Sequence, residues 1–168
     1  TGKLNLEMGG PGYRDFNYTE AYAPIYQYIT PDKPELWRRS VYRFVVRTTP
    51  HQFMSTLDCP DPANLTPSRV TTTTALQALT LSNNEFMLRQ AEYLAERVKT
   101  LSIGAASGNG RGNEVDLSEK YCRTAFQLAL QRDPGDDELQ AARQLVARQN
   151  LFVLCRALLN ANEFLYVD

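Results

Sequence analysis

The sequence has little of what usually announces a chemistry. It holds one histidine, His51, so a triad, a zinc site or most acid–base pairs would have to use it. Its three cysteines, Cys59, Cys122 and Cys155, form no CxxC or CxxCH, which excludes a zinc ribbon and a haem attachment. Three is an odd number, and the spacing gives no disulfide framework. There is no excess of basic residues: 18 Lys and Arg against 19 Asp and Glu leave a net charge of −1, which argues against a nucleic-acid partner. No run of about 18 apolar residues exists, so no membrane-spanning helix is expected. No metal and no cofactor is called for by any motif.

What is there reads as an ordinary globular chain of 168 residues, 43% hydrophobic and 22% charged. That length suits a single domain, residues 1–168, able to bury roughly 70% of its unfolded surface. The chain opens Thr1-Gly2-Lys3-Leu4 with no initiator methionine, which suggests a fragment of a longer protein.

Residues 1–35 form a segment rich in glycine, proline and tyrosine, with a turn at Gly9-Gly10-Pro11-Gly12. Tyr22–Ile29, interrupted by Pro24, has the character of a short edge strand. Ser40–Thr48 is the strongest strand candidate, and the two predict a small antiparallel hairpin. From Thr71 onward the periodicity turns helical. A short helix over Thr71–Leu81 precedes a capping box, Ser82-Asn83-Asn84-Glu85, which opens a helix to about Lys99. Its apolar stripe is Met87, Ala91, Leu94, Val98 and Leu101. Four of the nine glycines fall between Ile103 and Asn113, so that stretch reads as a flexible loop. It lacks the GK[ST] of a phosphate cradle.

Asp116 caps a helix from Leu117 to Gln131. Asp133-Pro134 starts another, to about Gln149, with Asp136, Asp137 and Glu138 in its first turn. Asn150 caps a last helix whose face is Leu151, Leu154, Cys155, Leu158 and Leu159. The fold class expected is therefore mainly α: about five helices on a single core, with a small N-terminal antiparallel β element.

Four features invite a functional reading. Asp58 and Asp61, in LDCPDPANL, could ligate calcium, but Pro60 and Pro62 stiffen the loop that would have to wrap the ion. A rigid corner accounts for them better, since each proline extends the residue before it. Cys59 lies between those two carboxylates, the wrong sign for lowering a thiol pKa. His51, in a loop after Pro50, is more readily structural than catalytic. Trp37, Arg38 and Arg39 could stack a sugar ring or pair with an anionic polymer; salt bridges inside the fold and a partly buried Trp37 are the simpler account. Cys122 and Cys155 fall on helical faces and read as inert core.

The runs WRRSVYRFVVRTTPHQFMSTLDCPDPANL, TTTTALQALTLSNN and LLNANEFLYVD resemble the C-terminal domain of unknown function of large planctomycete proteins. Gly9-Gly10-Pro11 and Arg132-Asp133-Pro134 with Glu138-Leu139 fit the same scheme. The resemblance covers nearly the whole chain apart from the glycine-rich loop. It implies a long exported polypeptide and an extracytoplasmic location. A second uncharacterised domain would lie upstream, often behind a cytochrome-c-like domain. It supplies no catalytic residue and no haem motif. The function expected is a non-catalytic module that packs on the upstream domain and contributes to polysaccharide binding. The alternatives are part of a polysaccharide hydrolase, which needs two carboxyl groups about 5–10 Å apart, and a docking module for the cytochrome-c-like domain.

Overall fold

The computed structural model describes residues 1–30, 32–61, 64–68, 72–104 and 114–166. The expected glycine-rich loop lies outside the described residues from 105 to 113; Ile103 and Gly104 end a helix. The fold is mainly α with one two-stranded antiparallel sheet near the N-terminus, as the sequence predicts. Two compact units form: Lys3–Asn84, and Glu85–Asp168 together with Thr1–Gly2.

In the Lys3–Asn84 unit, strand β1 (Phe16–Thr19) pairs with β2 (Ile25–Tyr28), Phe16 opposite Tyr28 and Thr19 opposite Ile25. Aromatic rings line the pairing: Tyr18 and Tyr26 are 5.4 Å apart, Phe16 and Tyr26 5.3 Å. The expected partner of β2, Ser40–Thr48, is not a strand. Ser40–Tyr42 is a 3-10 turn, and Arg43 makes a single parallel bridge with Tyr13. Two causes are visible. Five residues close β1 onto β2, whereas reaching Ser40 would close a longer loop at higher entropic cost. Arg43 also turns inward onto Asp15 and so leaves the alternation that makes a strand.

Helix α1 is a short piece, Gln52–Thr56, and α2 runs Ala75–Asn83. Thr74 caps α2 with Gln77 in a reciprocal capping box, at 3.2 and 3.0 Å. Ser82, expected to cap the following helix, lies inside α2 instead; the Thr74 box starts α2 late enough to carry it past Ser82.

The second unit holds α3 (Glu85–Gly104), α4 (Glu114–Leu130), α5 (Asp136–Arg148), α6 (Leu151–Leu159) and the short α7 (Asn162–Leu165). Among the described residues, the buried hydrophobic core is assembled from α3, α4, α5 and α6. Helix α3 contributes Ala91, Leu94 and Val98, with Met87 at its edge. Leu101 is a correction. It is exposed, and Ser102 is buried in its place, donating to Thr124 Oγ1 at 3.1 Å. From Val98, four residues return to within about 40° of the buried stripe, whereas three fall about 60° short of it.

Helix α4 starts before Asp116, which is therefore not its cap, and ends where Gln131 takes a φ of 57°. Asp133 does not cap α5; it accepts from Gln127 Nε2 at 2.9 Å. Gly135 holds the cap position, and Glu138 reaches back to its N–H at 2.8 Å. Helix α6 follows expectation: Asn150 Oδ1 accepts from Val153 N–H at 3.0 Å, and all five residues of its apolar face are buried.

Candidate functional site

The centre of the Lys3–Asn84 unit is polar. Arg43 Nε lies 2.8 Å from Asp15 Oδ2, and its guanidinium sits 4.8 Å from the Tyr28 ring centre. Tyr28 donates its hydroxyl to the Thr49 carbonyl, and its ring meets that of His51 edge-on at 4.6 Å. His51 Nε2 faces Asp15 Oδ2 at 4.0 Å. The other ring nitrogen, Nδ1, accepts from Met54 N–H at 3.4 Å and caps α1. An accepting Nδ1 puts the proton of a neutral ring on Nε2. Burial, with help from Arg43, pushes the His51 pKa down against the opposing pull of Asp15. Nδ1 is thus taken up as the α1 cap, while Nε2 faces Asp15 at a distance beyond hydrogen bonding. Asp15, Tyr28 and Arg43 were not singled out from the sequence; the misread strand over Ser40–Thr48 hid the inward turn of Arg43.

Trp37 is half-buried and donates from Nε1 to Asp32 Oδ1 at 3.3 Å. Arg38 donates to the carbonyls of Glu7, Gly9 and Pro11, and lies 4.1 Å over the Tyr42 ring. Tyr42 returns the contact by accepting Gly9 N–H at 3.2 Å. These bonds fix the turn at Gly9–Gly12. Gly9 has a φ of 81°, which other residues avoid, and a Cβ on Gly12 would meet Tyr42 O at 3.0 Å. Arg38 therefore pairs with backbone carbonyls, where salt bridges had been the simpler expectation. Arg39 is exposed and leans on Tyr42, 5.6 Å from the ring centre.

Asp58 takes a φ of 56°, the bend of the corner. Its Oδ2 accepts from Thr72 N at 2.7 Å, Thr72 Oγ1 at 2.8 Å and Gln77 Nε2 at 2.9 Å. Asp61 Oδ2 accepts from Asn64 Nδ2 at 2.6 Å. Both carboxylates thus hold the chain around the corner. Among the described residues, no group of three or more His, Cys, Asp or Glu could hold a metal ion. Cys59 is exposed, whereas Cys122 and Cys155 are buried.

The surface of this unit is the larger anomaly. Among the described residues of Lys3–Asn84, Val46 is the only buried hydrophobic side chain. Leu6, Met8 and Val41 are 70%, 76% and 76% exposed, and Leu4, Tyr18, Ile25 and Val45 are exposed as well. Exposed apolar side chains mark a binding surface where they are contiguous. Composition alone cannot show this, because it counts apolar residues without saying which face they take.

No helix among the described residues is long and apolar enough to cross a membrane. No curated protein and no solved structure matches the chain. The PSD1 family model, described as a protein of unknown function (DUF1553), matches residues 1–146. With most of its length covered by that match, the chain belongs to the PSD1 family.

Proposed function

We propose that this chain is a non-catalytic interaction module of a larger, exported polypeptide, and that its Lys3–Asn84 unit packs on another protein surface, that of a domain upstream in the same polypeptide. One observation carries the reading: a unit with a single buried hydrophobic side chain and many exposed large apolar ones among its described residues. Left in water, those side chains forgo about 25 cal/mol per Å² of the burial that stabilises ordinary domains. The extracytoplasmic setting rests on the sequence resemblance alone. A polysaccharide role would draw on Trp37, Arg38 and Arg39, and the engagement of Arg38 by three carbonyls favours the protein partner over it.

The test replaces Leu6 and Met8 by serine and glutamate. Because both side chains are exposed, the stability of the isolated chain should change by no more than about 0.5 kcal/mol. Association with the remainder of the polypeptide, supplied separately, should be lost. Unfolding of the isolated chain would show that these side chains serve its own core. Unimpaired association would place the interface elsewhere.

A further inference from the structure

Resting on that reading, we propose that the strip Arg39–Arg47, with Arg14 beside it, docks an acidic protein surface with an apolar centre. The strip reads RSVYRFVVR and contains three arginines and no acid. Arg43 is committed to Asp15. Arg14, Arg39 and Arg47 are all exposed, and none forms an ion pair among the described residues. The first two rest on aromatic rings instead: Arg14 is 5.1 Å from the centre of Phe44, and Arg39 is 5.6 Å from that of Tyr42. A guanidinium laid on a ring is held in place before any partner arrives, so less freedom is lost on binding.

Along the same strip stand Val41, Phe44 and Val45, which are 76%, 43% and 51% exposed. Exposed apolar side chains interspersed with arginines that form no ion pair match the composition of a protein–protein interface, where apolar contacts are combined with a charged rim. The sign of the rim selects carboxylates on the partner. The apolar centre selects a protein over a polyanion, because a sulfated or carboxylated polymer would leave Val41 and Val45 in water.

The probe is a synthetic peptide alternating Glu with Leu and Phe, compared with polyglutamate and with heparin. The expected result is saturable binding of the peptide, weakened by salt, and binding roughly tenfold or more weaker for both polyanions. Arg14→Glu, Arg39→Glu and Arg47→Glu together should weaken the peptide roughly tenfold or more, and so should Val41→Ser with Val45→Ser. The milder Arg→Gln set, with far-UV circular dichroism, separates lost binding from lost folding. Equal binding of heparin, or no effect of the valine substitutions, would overturn the proposal in favour of a polyanion site. Dimerisation of the chain abolished by the Arg→Glu set would overturn it in favour of a second copy. No binding of the peptide would also overturn it. The wider interaction reading would still stand if Leu6 and Met8 govern association with the remaining polypeptide.

Discussion

Removing the Asp58 carboxylate takes the acceptor from three hydrogen bonds and leaves the buried Gln77 amide with fewer partners. Asp58→Ala should destabilise the Lys3–Asn84 unit by about 1–3 kcal/mol, read by chemical denaturation. Asp58→Asn should cost less, since asparagine keeps an acceptor and tolerates the left-handed backbone that alanine resists. The thiols give a second prediction. Burial pushes Cys155 up to about 12 and raises Cys122, while Cys59 is exposed. A thiol reagent at neutral pH should therefore modify Cys59 alone in the folded chain, and all three cysteines after denaturation. Rapid modification of Cys122 or Cys155 in the folded state would contradict the buried core. The inward-facing residues of the Lys3–Asn84 unit were hard to read from sequence. Polar side chains such as Asp15 and Arg43 look solvated until the partner that buries them is known.

Helix α5 is tied to α7 by one guanidinium. Arg132 donates to Glu138 at 2.7 and 2.8 Å and to Glu163 at 2.7 and 2.8 Å. The Arg132 hydrogen bonds, then the Gly135 N–H, hold Glu138 at a pKa of about 2, below its ordinary 4.5. Glu163 is lowered by the same guanidinium. A depressed carboxylate stabilises the fold above its unfolded pKa, and the contribution is lost as pH falls through the folded value. The stability of the Glu85–Asp168 unit should therefore decline modestly as pH falls from about 4.5 to 2. Arg132→Gln should show the smaller acid dependence in an acid titration by circular dichroism. A titration unchanged by the substitution would show that the clamp holds nothing. Helices of this kind were legible in advance: a polar cap and a clean 3.6-residue stripe gave the start of α6 and its buried face. Short strands were not, because four residues of β1 carry too little pattern to outweigh the longer run at Ser40–Thr48. The exact cap was also obscure where a glycine with no capping side chain takes the position, as at Gly135, two residues past Asp133.

Across the whole chain, the two units are built on different terms. Glu85–Asp168 closes a hydrocarbon core drawn from four helices, whereas Lys3–Asn84 partly buries an ion pair and a histidine and leaves many of its large apolar side chains exposed. That contrast is the substance of the interaction reading. It was not visible in a composition that is ordinary throughout. The helical half could be foreseen because its periodicity points to its own core. The N-terminal half could not, because its apolar residues follow no helical or strand period that points to a core, and many of them are exposed. The measurement that bears most directly on this is amide hydrogen exchange, made on the chain alone and on the larger polypeptide. The account predicts slow exchange in α3–α6 in both samples, and protection of Lys3–Asn84 that rises strongly only in the larger polypeptide. Equal protection of Lys3–Asn84 in the two samples would contradict it.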